Sequence, residues 1–143
     1  MARCRAADVD AGPADERMAR YLDGQYHPQK ALAPRVAFLS RSGDEVVGYI
    51  AGHATTRYDC EGEVQYLYVA PGVRRRGIAA HLLRLLAHWF DQRGIRRVCV
   101  NANLESPGAV PFYVAAQALP LNRHWYVWDD IRTVLSADGD AHD

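Results

Sequence analysis

The chain has 143 residues, 49% of them hydrophobic, and its basic and acidic residues balance to a formal net charge of zero. That length suits one domain with one core, and the composition excludes a disordered chain. A neutral chain carries no bulk field toward nucleic acid or an anionic membrane. No apolar run approaches the roughly 18–20 residues that span a bilayer, and the N-terminus has no signal-peptide core, so a cytoplasmic protein is expected.

Residues 2–6 suit a short edge strand. Residues 14–22 place Met18, Tyr21 and Leu22 on one helical face, with Gly24 as a stop. Residues 26–33 predict a second short helix, with Pro28 near its start and Pro34 past its end. Two strands follow. One covers 35–40 through Val36, Phe38 and Leu39; the other covers 45–56 through Val46, Val47, Tyr49 and Ile50. The turn cluster Ser42-Gly43-Asp44 joins them as a hairpin. After a second turn at Asp59-Cys60-Glu61-Gly62, residues 63–69 alternate with Val64, Tyr66 and Tyr68 on one pleat face and Leu67 and Val69 on the other. A strand apolar on both faces belongs in the middle of a sheet, covered on both sides.

From Ile78 the period changes. Ile78, Leu82, Leu85, Leu86, Trp89 and Phe90 recur at three- and four-residue spacing, an amphipathic helix that Arg93-Gly94 ends. Residues 97–100 form another strand, and strand, helix, strand implies a parallel right-handed crossover. A helix at 109–118 and strands near 120–121 and 126–128 complete an α/β domain with a mixed sheet. Residues 1–135 read as a single domain and 136–143 as a frayed tail. Cys4, Cys60 and Cys99 are odd in number and scattered, and the six histidines are scattered too, so neither a disulfide framework nor a metal site is expected. Cys99, inside an apolar strand, reads as core.

The chemistry concentrates in Tyr68-Val69-Ala70-Pro71-Gly72-Val73-Arg74-Arg75-Arg76-Gly77-Ile78-Ala79. A buried strand ends in a Pro-Gly turn, and an arginine-rich loop opens into a helix whose first N–H groups and dipole attract anions. Gly77 lets the backbone bend there, Ala79 leaves room beside it, and the arginines add charge suited to phosphates. No Gly-Lys-Ser/Thr of a Walker loop and no G-x-G-x-x-G turn is present. The plainer reading of the arginines is a solvated helix start. The apolar strand before them and the apolar helix after them favour a ligand site.

Together these residues resemble the GNAT superfamily of N-acetyltransferases. Glu63-Val64-Gln65-Tyr66-Leu67-Tyr68-Val69-Ala70-Pro71 with Arg74-x-x-Gly77-x-Ala79 is similar to its central motif. Pro107-Gly108-Ala109-Val110-Pro111-Phe112-Tyr113 resembles its A-x-x-x-Y helix, and Glu45-Val46-Val47-Gly48-Tyr49-Ile50 its third strand. The resemblance covers about residues 35–118. It implies a mixed central sheet with two splayed parallel strands flanked by helices, and acetyl-CoA as co-substrate with no metal. It places the pyrophosphate on the loop of Arg74, Arg75, Arg76, Gly77 and Ala79, and the pantetheine arm between strands 63–69 and 97–100, bonded by main-chain groups of Leu67 and Val69.

Amine acetylation needs a base to take the amine's proton and an acid for the departing thiolate. The resemblance puts Tyr113 at the general-acid position and Glu63 at a position where several members carry the base. A packed tyrosine and a solvated strand-end acid are the bland alternatives; Glu61, a water chain or Tyr66 are fallbacks for the base. Asn101 and Asn103 either bond pantetheine or cap a loop. His27, His53, His124, Trp125 and Trp128 either border the acceptor pocket or pack, and His81 and His88 lie on the long helix facing solvent. The chain departs from the family at Ser106, where Asn is frequent, and at Gln117-Ala118, where Gly-Phe is common. Residues 121–128 are distinctive, and no chemistry follows from them. The leading function is direct acetylation of a small-molecule primary amine. The alternatives are a peptide or protein amine acetyltransferase and a non-catalytic acyl-CoA-binding regulatory domain. A homodimer is open, since relatives often pair.

Overall fold

Seven strands form one sheet: β1 (Arg3–Ala6), β2 (Leu32–Ser42), β3 (Glu45–Ala54), β4 (Gly62–Val69), β5 (Val98–Asn101), β6 (Leu119–Pro120) and β7 (Trp125–Trp128). They lie in the order β1-β2-β3-β4-β5-β7-β6. The structure, a computed structural model, describes residues 3–6, 13–25, 28, 30–74, 76–102 and 108–141. Only the β4–β5 pair is parallel; every other neighbouring pair is antiparallel. Helices α1 (Pro13–Leu22), α2 (Ile78–Gln92), α3 (Ala109–Ala115) and α4 (Arg132–Ala141) flank the sheet.

The helix α2 connects β4 to β5, the crossover that parallel strands require. Its buried stripe, Leu82, Leu83, Leu86 and Phe90, meets Ile50, Val64 and Val98 in the main core. The helix comes so close that a Cβ on Gly62 would stand 2.7 Å from Phe90 Cε1, so only glycine fits at that point of β4. On the opposite face a smaller cluster joins Met18 and Tyr21 of α1 to Ala37 and Ala51, and Tyr66 packs against it.

Simple alternation along β4 does not hold. Ala51 of β3 pairs with Tyr66 and Gly52 with Val64, so Gln65 is an extra residue in β4, a β-bulge. The extra residue flips the side-chain parity. Val64 and Leu67 both join the core beneath α2, whereas Glu63 and Tyr66 both meet Tyr21 or its partner His53 on the α1 face. The grouping of Val64 with Tyr66 on one pleat face is therefore corrected.

Three further expectations change. No helix forms over the described part of 26–33; residues 26, 27 and 29 lie outside the described residues. Leu32 already belongs to β2, and Pro34 falls in the register irregularity between Leu32 and Arg35, where a residue without an N–H interrupts no ladder bond. Helix α3 ends at Ala115 and not at Ala118, with Gln117 at φ +72°. The segment after Leu135, expected to fray, continues α4 to Ala141, a helix anchored by the buried Val134 and, just before it, Ile131.

Candidate active site

The parallel strands part company at the bulge. β4 and β5 pair only through Gly62 with Val98, Glu63 with Cys99 and Val64 with Val100; β4 then continues to Val69 while β5 stops at Asn101. A cavity of about 870 Å³ opens in this splay. Both pleat faces of β4 line it, through Tyr66 and Tyr68 on one side and Leu67 on the other, together with Val69, Asn101 and Tyr113.

At one end the cavity meets the start of α2, through Arg74, Gly77, Ile78, Ala79 and Ala80. Gly77 precedes the helix at φ +78°, in the left-handed region, and no atom lies within 4 Å of where its Cβ would stand. The conformation, not crowding, calls for glycine. The His81 N–H donates to Gly77 O at 3.0 Å, so the amides of Ile78, Ala79 and Ala80 precede the first helical hydrogen bond and remain available to an anion. Arg74 Nε donates to Val69 O at 3.0 Å, which ties the loop to the end of β4. Arg76 is exposed and does not line the cavity, and Arg75 and Asn103 lie outside the described residues.

Tyr113 reaches the cavity from α3 and is only 4% exposed. Its ring meets Trp128 edge to face at 5.9 Å and Phe112 at 5.3 Å. Burial pushes its phenol above the ordinary tyrosine range, because the phenolate would lose its water there. The group stays protonated at neutral pH.

Glu63 does not sit as a solvated strand end. It is buried, and its Oε1 lies 3.3 Å from His53 Nε2 and accepts from Arg57 Nε at 3.2 Å. His53 Nδ1 lies 2.7 Å from the Tyr21 hydroxyl, whose phenol burial also pushes up. The Arg57 guanidinium stacks 4.7 Å over the Trp125 ring, which Tyr58 meets edge-on. Glu61 is engaged elsewhere: its Oε1 accepts from the Arg96 and Arg97 amides at 2.8 and 3.3 Å.

The remaining candidates separate. His53 and Trp125 gather around Glu63, whereas Trp128 is core, donating from Nε1 to Ala116 O at 2.9 Å. His81 and His88 are exposed on α2, and His27 lies outside the described residues. Cys60 and Cys99 are buried together with Val127 away from the cavity. Tyr21 and Arg57 were not among the site residues expected from sequence; they lie 32 residues from His53 and 6 from Glu63, and no short motif links such positions. Among the described residues no group of three or more His, Cys, Asp or Glu could hold a metal, and no helix is long and apolar enough to cross a membrane.

A model of the Acetyltransferase (GNAT) family matches residues 6–117, a span that holds β4, the α2 turn and Tyr113. The chain belongs to the GNAT family. A search of curated proteins gave no significant match. Among solved structures, an acetyltransferase from Thermus thermophilus aligns at 24% identity and TM-score 0.62, covering 80% of this chain and 74% of that one. An aminoglycoside acetyltransferase from an uncultured soil metagenomic sample aligns at 23% identity and TM-score 0.57, covering 74% and 70%. A chain from Bacillus anthracis, solved in complex with acetyl coenzyme A, aligns at 9% identity and TM-score 0.59, covering 68% and 63%. At these identities the likeness is one of fold. Family membership makes this GNAT chain an acyltransferase that uses acetyl-CoA, and the cavity fits that co-substrate: free helix-start amides at one end, a gap between parallel strands beyond them.

Proposed function

We propose that this GNAT chain moves an acetyl group from acetyl-CoA directly to a primary amine of a small molecule. The observation that carries the reading is the splay itself, a cavity lined by the start of α2 with its amide donors and by Tyr113, Tyr66 and Tyr68. Acetyl-CoA supplies an activated acyl thioester. The amides of Ile78 and Ala79, with Arg74 and its neighbour Arg75, hold the pyrophosphate, and main-chain groups of Leu67 and Val69, with Asn103, hold the pantetheine arm; Arg76, exposed and outside the cavity lining, is not assigned to the phosphates. Tyr113, kept protonated by burial, donates to the departing sulfur. Glu63 takes the proton that the attacking amine must lose.

Direct transfer is favoured because Cys60 and Cys99 are core residues, packed together with Val127. A small acceptor is favoured by the aromatic lining of Tyr66 and Tyr68, which suits a compact amine. One fold neighbour is, by its name, an aminoglycoside acetyltransferase, an enzyme of a small-molecule amine.

The test has two steps. Acetyl-CoA raises the melting temperature by linkage; no shift at millimolar ligand would reject the donor site. Thiol release is then followed with small primary amines beside short peptides bearing a free N-terminus. Faster turnover of the peptides would reject the small-molecule acceptor.

A further inference from the structure

Glu63 is held from behind by a chain of buried polar groups. His53 on β3 is 0% exposed, and so is Tyr21 on α1. An ionised carboxylate can only accept, so His53 Nε2 carries the hydrogen and donates to Glu63 Oε1 across 3.3 Å. Nδ1 is then the acceptor, and the Tyr21 hydroxyl donates to it at 2.7 Å. Burial keeps that phenol protonated, so its hydroxyl has a hydrogen to give to Nδ1. Arg57 Nε donates to the same Oε1 at 3.2 Å. Both bonds fall on one oxygen, and Oε2 takes part in neither.

Titratable and charged groups face this chain from the elements around it, among them Cys99 of β5, in register with Glu63, and the buried Cys60 just before β4. Arg35 of β2, paired in register with His53, stacks its guanidinium 5.0 Å over the Tyr21 ring and donates to Tyr21 O at 2.8 Å. Tyr66 of β4 meets Tyr21 edge-on at 5.6 Å, and Arg57 closes the other side. A packing role alone would be met by an apolar side chain at His53 without the desolvation that a buried imidazole costs. A satisfied polar chain instead selects one geometry for its last member.

We propose that His53 is a positioning residue for Glu63: with Tyr21 behind it, it clamps Oε1 and leaves Oε2 to take the proton of the acceptor amine. The inference rests on Glu63 as the base in the function proposed above. One N–H bond breaks on the amine and one O–H bond forms on Oε2; the His53 and Tyr21 protons stay where they are.

The experiment uses the intact chain, acetyl-CoA and two nucleophiles: the fastest acceptor of a panel of alkyl, aromatic and aminosugar primary amines, and hydroxylamine, whose nitrogen is already unprotonated at neutral pH. His53→Leu lowers kcat/KM for the amine at least about tenfold at pH 7, and the deficit shrinks as rising pH deprotonates the amine in solution. The hydroxylamine rate and the KM for acetyl-CoA stay within about twofold of wild type. His53→Gln, whose amide reaches the same carboxylate, retains most of the amine activity, and Tyr21→Phe falls between the two. A loss that is equal at every pH and with both nucleophiles, or no loss, overturns the inference. If His53→Leu does not fold, Tyr21→Phe, which removes one hydroxyl, carries the same comparison. A wild type that binds acetyl-CoA and acetylates no amine overturns the parent reading and this one with it; an active wild type with a pH-independent deficit in the variants overturns this one alone.

Discussion

Tyr113 and Trp128 meet edge to face at 5.9 Å, and Trp128 in turn bonds the carbonyl of Ala116 just past the end of α3. The ring of Tyr113 is therefore fixed by packing, and its hydroxyl is separable from its structural role. Tyr113→Phe keeps the edge-to-face contact and removes the proton donor. Steady-state kinetics should show kcat lower by about 10²-fold, within the usual range for an acid–base group, with little change in melting temperature. An unchanged kcat in an active enzyme removes Tyr113 from the chemistry.

Gly77 stands at φ +78° with open space around it, so its replacement is felt in the backbone alone. Alanine in the left-handed region costs about 1–2 kcal/mol, and relief of that strain turns the following amides away from their common direction. Gly77→Ala should weaken acetyl-CoA binding by calorimetry about tenfold while the free protein loses only a few degrees of stability. Wild-type affinity would show that the turn does not hold the phosphates.

Gln117 occupies the same left-handed region at φ +72°, where it closes the turn after α3. Its amide donates to Val114 O at 2.9 Å, so the turn is real and the side chain is the misfit. Many GNAT members carry glycine at this distance after the tyrosine, and the positive φ supplies the reason. Gln117→Gly should stabilise the chain by about 1 kcal/mol, a rise of roughly 3 °C in thermal unfolding.

Burial holds the phenols of Tyr21 and Tyr113 above the tyrosine range in the folded chain. Below about pH 10 both folded and unfolded states keep these protons and stability is unaffected. As pH rises further, the unfolded chain releases protons that the folded chain retains. Stability therefore falls, by up to about 1.4 kcal/mol per pH unit for each tyrosine. Urea titrations between about pH 9 and 11 check this, and Tyr113→Phe should flatten the slope by one proton.

Much of the proposed donor site is legible in the amino-acid sequence because it is local. The strand ending at Val69, the Arg74 loop, Gly77 and the apolar stripe from Ile78 are contiguous, and a helix start exposes its amides whatever surrounds it. Hydrophobic period alone separates β4 from α2 and places β5 beyond it as a parallel partner. The acceptor side is different. The bulge at Gln65 depends on which residues of β3 oppose β4, and no alternation pattern encodes an inserted residue. That insertion sends Glu63 and Tyr66 to the α1 face, where a β3 histidine and an α1 tyrosine wait 10 and 42 positions from Glu63 along the chain. Sequence by itself determined the family, the order of the elements from β2 to β7 and the turn at Gly77 proposed to face the co-substrate. Only tertiary structure decided what Glu63 touches, because hydrogen bonds between distant segments exist only once the sheet has set their register.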